Sequence, residues 1–207
     1  PRMVGRVFKR PASFTYGSWF ESNYAKKYSV SAELDITRSN QYNANGVELY
    51  FRHQYRFNKK LTLSENTNLS VFTNDLGFAT ISNDSVFFAL RKRNTVENIF
   101  TVKYNFNNKM GLSFRARHYW SAVENQRFFN LNTDGGMAPV SHINSDVNYN
   151  VNYFNIDMVY TWQFALGSFV NVVWKNSAGT FDQNIAEGYF KNARTTLDAP
   201  QLNSLSV

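Results

Sequence analysis

The chain has 207 residues, of which 17% are aromatic and 18% charged, and its mean hydropathy is -0.43. Its longest strongly apolar stretch runs only from Val86 to Leu90, which excludes a membrane-spanning helix of about 20 residues. Cysteine is absent, so disulfides and thiolate metal sites are excluded as well.

The formal net charge of +7 and the pI near 9.6 raise the question of nucleic-acid binding. Lysine and arginine are spread along the chain, with acidic residues at equivalent positions of the predicted strands. A nucleic-acid surface requires a concentrated basic patch, so we expect no nucleic-acid partner. Mixed charge of this kind is typical of a polar barrel lumen.

Segments of about ten residues with alternating apolar and polar side chains recur along the chain and predict antiparallel strands. The first predicted hairpin runs from Phe14 to Tyr24 and from Tyr28 to Thr37. Its tight turn is Ala25-Lys26-Lys27. The second strand of this hairpin has the cleanest alternation in the chain, with every other residue apolar.

The second predicted hairpin runs from Val47 to Phe57 and from Leu61 to Val71, with the turn Asn58-Lys59-Lys60. Glu65 falls on its apolar side. A carboxylate facing lipid would cost roughly a few kcal/mol at mid-membrane. The position of Glu65 therefore indicates a bulge, a register error or a partner contact.

A third hairpin is predicted from Phe100 to Phe106 and from Leu112 to Trp120. A fourth is predicted from Phe154 to Gln163 and from Val170 to Lys175. The pattern thus gives about eight strands and the beginning of a ninth, with four short turns on one side and longer connections on the other. Outer-membrane barrels show this asymmetry, with the short turns in the periplasm.

The longer connections are predicted to be extracellular loops. A short helix is expected in the last of them, from Asn184 to Arg194, because Ile185, Phe190 and Ala193 are spaced for one helix face. The predicted loops are Arg38 to Asn45, Thr73 to Asn94, Val123 to Asn148 and Asn176 to Asn203.

These features predict an all-β fold, an antiparallel up-and-down transmembrane β-barrel. We expect residues 1–207 to be the carboxy-terminal portion of one barrel domain, with eight to nine of its strands, truncated at both ends. Open sheet edges cost several kcal/mol for each unpaired amide or carbonyl in lipid, so further strands are needed for closure. A barrel of on the order of a dozen or more strands in the bacterial outer membrane is the expectation.

Charged residues on the polar side of the predicted strands form the proposed lumen charge cluster. They would either line an aqueous path and bias permeation, or form salt bridges that rigidify a plugged barrel, and we favour the second role. The cluster consists of Glu33, Asp35, Glu48, Arg52, Arg56, Lys103, Arg115, Arg117, Asp157 and Lys175.

Aromatic residues recur at the ends of the predicted strands. Aromatic side chains with a polar atom are favoured at membrane interfaces, so we interpret these residues as interfacial anchors rather than as sugar-stacking platforms. The predicted anchors are Tyr24, Tyr55, Phe57, Tyr104, Phe106, Trp162 and Phe164.

Neither a metal site, a cofactor site nor a catalytic centre is predicted. The three histidines, His53, His118 and His142, lack the paired spacing of zinc or iron ligands. His118 and Ser121 are close in sequence, but residues at odd separation on a strand point to opposite faces. A serine hydrolase built on this pair is therefore not favoured.

Five segments of the chain resemble one family of Bacteroidota outer-membrane proteins: PRMVGRVFKRP, RKRNTVEN, KYNFNNKMGLSFRARHYWSAVE, FNIDMVYTWQFALGSFVNVVWKNS and TTLDAPQLNSLSV. The resemblance spans nearly the whole chain. It implies an exported protein with an amino-terminal carbohydrate-binding-like (family 9 type) domain and a carboxy-terminal barrel of unassigned function. This chain would be the carboxy-terminal part of that barrel, and no catalytic residue can be carried over.

Three functional hypotheses follow. The leading one is a non-enzymatic outer-membrane barrel in contact with outer-membrane lipid, whose larger protein handles glycans through its amino-terminal domain or supports a surface assembly. The second is a binding or scaffold subunit that contacts a partner barrel or lipoprotein. The third is an outer-membrane or soluble β hydrolase, and partition into membranes would separate its soluble form from the other two.

Overall fold

The computed structural model of the chain describes residues 7–141, 143 and 147–207, so the predicted loop residue His142 lies outside the described residues. Within these residues there are ten strands and one α-helix. Their bounds are β1 Phe14–Glu21, β2 Tyr28–Ser39, β3 Ala44–Arg56, β4 Leu61–Ser82, β5 Ser85–Asn107, β6 Met110–Leu131, β7 Met137–Val140, β8 Tyr149–Ala165, β9 Ser168–Asp182, α1 Tyr189–Asp198 and β10 Leu202–Ser206.

All ten strands belong to a single antiparallel sheet. Nine of them follow one another in the order β1-β2-β3-β4-β5-β6-β8-β9-β10, while the short β7 pairs only with β6. This confirms the prediction of an all-β antiparallel fold built from sequential hairpins. The described strands do not close into a barrel, because β1 and β10 are the two edges of the sheet.

Regular pairing divides the side chains of the sheet between two faces. Leu34, Leu49 and Leu69 are direct neighbours across β2, β3 and β4, and Phe100, Ala116 and Ile156 are neighbours across β5, β6 and β8. We call the side that carries these residues the apolar face. The opposite side, which carries the residues between them, is the charged face.

The apolar face is not covered by a second layer. Large side chains on it stay open to solvent in the isolated chain, including Leu49 at 38% exposure and Phe100 at 41%. The turns after β1, β3, β5 and β8 lie along one end of the sheet, and we call these four the short turns. The buried hydrophobic cluster, formed by Val86, Phe88 and Leu131, lies instead at the ends of β5 and β6 that are remote from them. The sheet therefore lacks the interior of a two-layer domain over most of its described area.

The predicted loop from Thr73 to Asn94 is wrong. β4 continues to Ser82 and β5 begins at Ser85, leaving a turn in which Asn83 and Asp84 have positive φ. A register shift between Phe72 and Asp75 interrupts the alternation, and side chains beyond it are buried on both faces. These two effects remove the period of two, which is why the sequence pattern did not reveal the longer strands. The loop from Val123 is wrong for the same reason, since β6 extends to Leu131.

The helix of the last loop is present but begins later than predicted. It spans Tyr189–Asp198, so Ile185 precedes it. The side-chain oxygens of Asp182 and Asn184 accept hydrogen bonds from backbone N–H groups two residues onward, which holds this segment in turns. None of the helical structure in the described residues is long and apolar enough to cross a membrane.

Candidate functional site

The charged face brings together the residues of the predicted lumen charge cluster. The pairing register places all ten on this side of the sheet: Glu33, Asp35, Glu48, Arg52, Arg56, Lys103, Arg115, Arg117, Asp157 and Lys175. They do not form one compact group, because they extend across the sheet from β2 to β9. The acidic members lie mainly on β2 and β3, and the basic members extend to β9.

The acidic part of the charged face is concave. A depression of about 450 Å³ is lined by Glu33, Asp35, Glu48 and Glu97, together with uncharged residues that include Tyr119. Asp35 and Glu48 are direct cross-strand neighbours, an arrangement of like charges that destabilises a sheet. The charged face therefore contains a depression with an excess of carboxylates.

Arg117 and Glu97 form a partly buried ion pair on the charged face. The Nε–H group of Arg117 donates to Glu97 Oε1, and Asn68 Nδ2 donates to Glu97 Oε2 at 3.0 Å. Sequence analysis missed Glu97 because the predicted strand began only at Phe100. Extending the alternation by three residues would have placed Glu97 on the same side as Thr101, as the register now does.

A second ion pair on the charged face is more open. Arg115 Nη1 lies 4.0 Å from Asp157 Oδ2, with side-chain exposures of 46% and 40%. Lys175 is the direct neighbour of Asp157 on β9. Opposite charges thus alternate across β6, β8 and β9, where they neutralise one another locally.

Toward the ends of β5 and β6 that are remote from the short turns, the charged face is covered by the chain itself. Ser121 is 5% exposed and Val123 is fully buried, although both are on this face. Close to them, Arg91 Nη2 lies 2.5 Å from Asp75 Oδ2 and Arg93 Nε lies 3.7 Å from the same oxygen. The concave side of the sheet is therefore occluded at this end.

The apolar face carries a line of polar side chains, which we call the polar track. His53 Nε2 lies 3.4 Å from Glu65 Oε2, and Thr67 Oγ1 donates to Glu65 Oε1 at 2.5 Å. Neither a bulge nor a register shift is present at Glu65, which pairs regularly with His53 and Phe100. Of the three explanations given above for Glu65, the structure rules out the bulge and the register error, and a partner contact stays a hypothesis.

The polar track continues to the helix. Thr67 Oγ1 lies 2.8 Å from Asn98 Oδ1, and Asn98 Nδ2 donates to the Tyr189 hydroxyl at 2.7 Å. That hydroxyl is also 3.1 Å from His118 Nδ1. The track therefore crosses from β3 to β6 and ends beneath α1.

A buried amide cluster holds the next turn of the helix. Asn192 Oδ1 accepts hydrogen bonds from Asn150 Nδ2 at 2.7 Å and from Asn152 Nδ2 at 3.0 Å. Trp120 Nε1 donates to Asn150 Oδ1 at 2.8 Å. These contacts were not predicted, because residues so distant in sequence meet only when the last loop folds back over β6 and β8.

The proposed hydrolase pair is not assembled. His118 is on the apolar face with Tyr189, whereas Ser121 is on the charged face, where its hydroxyl lies 3.1 Å from Thr95 Oγ1. This confirms the prediction that the two side chains do not meet. Across the described residues, no group of three or more histidine, aspartate or glutamate side chains is arranged to hold a metal ion.

Most of the predicted anchors form aromatic pairs beside the short turns. Ring centroids are 4.6 Å apart in Tyr55 and Phe57, 4.8 Å in Tyr104 and Phe106, and 6.0 Å in Trp162 and Phe164, each close to an edge-to-face geometry. Tyr24 lies in the turn after β1. Each pair precedes a short turn of the sheet, and the role of these residues as interfacial anchors stays a prediction.

The comparisons with known proteins give one match. A family model described as a domain of unknown function (DUF5916) matches residues 1–207, the entire chain. No curated protein and no solved structure matches the chain. The match thus covers every element described above but assigns no activity, ligand or site residue.

We predict that the Glu97 and Arg117 side chains are energetically coupled. A double-mutant cycle with Glu97→Gln and Arg117→Gln should give a coupling of about 1 kcal/mol. This pair is less exposed than Arg115 and Asp157, and Glu97 also accepts a hydrogen bond from Asn68. The matched cycle with Asp157→Asn and Arg115→Gln should give less than about 0.5 kcal/mol. Urea unfolding of the protein measures both, and equal couplings would contradict the prediction.

We also predict that the Tyr189 hydroxyl holds α1 against the sheet. Tyr189→Phe removes the acceptor of Asn98 and should cost about 1 to 2 kcal/mol, which corresponds to roughly 5- to 30-fold faster amide exchange in α1. Hydrogen exchange followed by mass spectrometry measures this rate. Tyr16→Phe on the exposed strand β1 is the control, and the same exchange rate in both variants would show that the hydroxyl is dispensable.

Proposed function

Since the chain belongs to the DUF5916 family, a family of unknown function, we propose its function from its geometry: it is part of the wall of a β-barrel in the bacterial outer membrane. In this proposal the apolar face contacts lipid and the charged face lines the lumen. The barrel is non-enzymatic. The suggestion that the whole protein handles glycans or supports a surface assembly comes from the family resemblance alone.

One observation supports this proposal above all others: a regular single sheet is uncovered on its apolar side and carries a polar depression on its charged side. Burying apolar surface is worth roughly 25 cal/mol per Å², so an uncovered face of this extent requires a solvent other than water. On β8 the apolar positions run from Phe154 to Trp162, nine residues that rise roughly 20 to 25 Å when tilted by about 40°. This matches the apolar band of outer-membrane barrels, which is about 25 Å tall.

The direction of the strands limits how such a barrel can close. The nine strands of the continuous path are antiparallel to their neighbours, so the first and the ninth, β1 and β10, run in the same direction. They cannot pair with each other as antiparallel strands. An odd number of further strands is therefore required between them in a fully antiparallel barrel, which gives an even total.

The lumen of the proposed barrel is plugged rather than open. The burial of Ser121 and Val123 on the charged face supports this, since the chain itself covers that end of the concave side. The ion pairs of Arg117 with Glu97 and of Arg91 with Asp75 also favour a rigid, neutralised wall over a row of free charges.

A second candidate function is that of a binding or scaffold subunit, which one observation favours. Glu65, His53 and Thr67 lie on the apolar face at the level of Phe100 and neighbouring residues, near the middle of the proposed lipid contact. Polar groups in hydrocarbon are costly even when they are paired. A partner barrel or lipoprotein that covers this position would remove the cost.

Spin labels along β8 test the membrane assignment, and the absence of cysteine from the chain makes single-cysteine labelling direct. Any cysteine outside residues 1–207 would be replaced. In the full-length protein in liposomes, labels at Ile156 and Met158 should be accessible to oxygen, while labels at Asn155 and Asp157 should be accessible to a water-soluble nickel reagent. The expected pattern alternates because successive residues of a strand face opposite sides.

The same labels distinguish the alternatives. If Ile156 and Met158 are inaccessible to both reagents, the apolar face is buried in protein and the barrel proposal fails. Labels at Leu63 and Leu69, which flank Glu65, test the second candidate. Oxygen accessibility lower there than at Ile156 would support a partner on the polar track, and equal accessibility would argue against one.

Conductance tests the plugged lumen. The full-length protein in planar lipid bilayers should show no persistent open level, because the chain covers the concave face near Val123. Asp75→Asn removes the carboxylate that bridges Arg91 and Arg93 and should increase the frequency of openings. Lys103→Gln on the opposite part of the charged face is the control. A steady open pore in the unmodified protein would reject the plug.

A further inference from the structure

The helix α1 has the reverse of the usual polarity. Its sheet-facing side chains are polar, with Asn192 at 3% exposure and Thr196 fully buried. Its outward side carries Phe190 at 86% exposure and Leu197 at 52%. These two residues are seven positions apart and therefore lie on one stripe of the helix, with Arg194 between them.

The contacts of α1 show that its axis runs across the strands. Tyr189 at its start contacts Asn98 on β5 and His118 on β6, and Asn192 one turn later contacts β8. The chain then enters β10, which pairs with β9. A helix of ten residues is about 15 Å long, close to three strand spacings of about 4.8 Å.

The helix lies at the border of the apolar face. Asn98 and His118 are on the same side as Phe100 and Phe114, but farther from the short turns. On β6 and β8 the face is apolar from there toward those turns, and from there away it carries the buried amides of Asn150 and Asn152. The ring of Trp120 lies 6.0 Å from that of Tyr189 at this border, where Trp120 is buried beneath the helix.

Charge on the outward side of α1 is limited to a few residues. Lys191 Nζ lies 2.5 Å from Glu187 Oε1, so this lysine is already paired. Arg194, by contrast, forms no ion pair in the described part of the chain, not even with Asp198 one turn further on. Its position between Phe190 and Leu197 allows its long side chain to extend to a phosphate while the two apolar residues insert.

We propose that α1 is a membrane-surface helix, lying in the plane of the outer leaflet with Phe190 and Leu197 among the acyl chains and Arg194 at the anionic headgroups. This proposal rests on the proposed barrel, because it takes the apolar face as the lipid contact. It is supported by the continuity of the helix with that face, by its direction across the strands and by its exposed apolar stripe. Amphipathic helices at membrane surfaces bury their apolar side about 5 to 10 Å into the headgroup and acyl boundary.

Depth measurements with spin labels test this proposal. Single cysteines at Phe190 and Leu197 are labelled in the full-length protein in liposomes of phosphatidylethanolamine, with and without phosphatidylglycerol. Thr195 on the same helix and Leu166 in a short turn, which is 99% exposed, serve as matched positions. The ratio of oxygen to nickel accessibility should be roughly threefold higher at Phe190 and Leu197 than at Thr195 and Leu166. Arg194→Gln should lower the ratio at Phe190 only when phosphatidylglycerol is present.

A label at Ile156 separates this proposal from the barrel assignment. If Ile156 is in lipid while Phe190 and Leu197 are as water-accessible as Leu166, the surface helix is rejected and the barrel is retained. Inaccessibility of Phe190 and Leu197 to both reagents would mean that protein covers them, which also rejects the proposal. If Ile156 is not in lipid, both proposals fail together. An effect of Arg194→Gln that is equal in both lipid mixtures would overturn the role given to the arginine.

Discussion

Backbone hydrogen bonding between neighbouring strands decides which side chains share a face, and the rest of this molecule depends on that constraint. From β2 to β9 the pairing is regular over the region between the short turns and the polar track. A slip of one residue would carry each leucine to the charged side and each carboxylate to the apolar side. The register is therefore specified by the alternation itself, even though no second layer packs against the sheet.

The two faces place opposite requirements on their surroundings. The charged face satisfies itself in part, through Arg117 with Glu97 and through Arg91 with Asp75, and the chain covers its far end. Most of the apolar face is not covered by other parts of the described chain, because the buried cluster around Phe88 is confined to the far ends of β5 and β6. In the proposed barrel wall, lipid on the apolar side and a lumen on the charged side would meet both requirements.

The polar track and the helix alter this division at one level of the sheet. His53, Glu65 and Asn98 bring polar groups onto the apolar face, and Tyr189 links them to α1. Because the helix turns its polar side inward, Tyr189 accepts a hydrogen bond from Asn98, and Phe190 and Leu197 face outward instead. The border of the apolar face is thus defined by the folding of the last loop as much as by the strands.

The sequence by itself determined the strand class, the sequential hairpins, the sides occupied by the ten charged residues and the separation of His118 from Ser121, because all of these follow from a local period of two. It did not determine the true length of β4 and β5, since a register shift near Asp75 and burial on both faces remove that period. Only the tertiary structure decided that Glu97 pairs with Arg117, that Glu65 is paired without a bulge and that Tyr189 meets Asn98. Such contacts join residues as many as 91 positions apart, and their geometry depends on how loops fold over strands rather than on any local pattern.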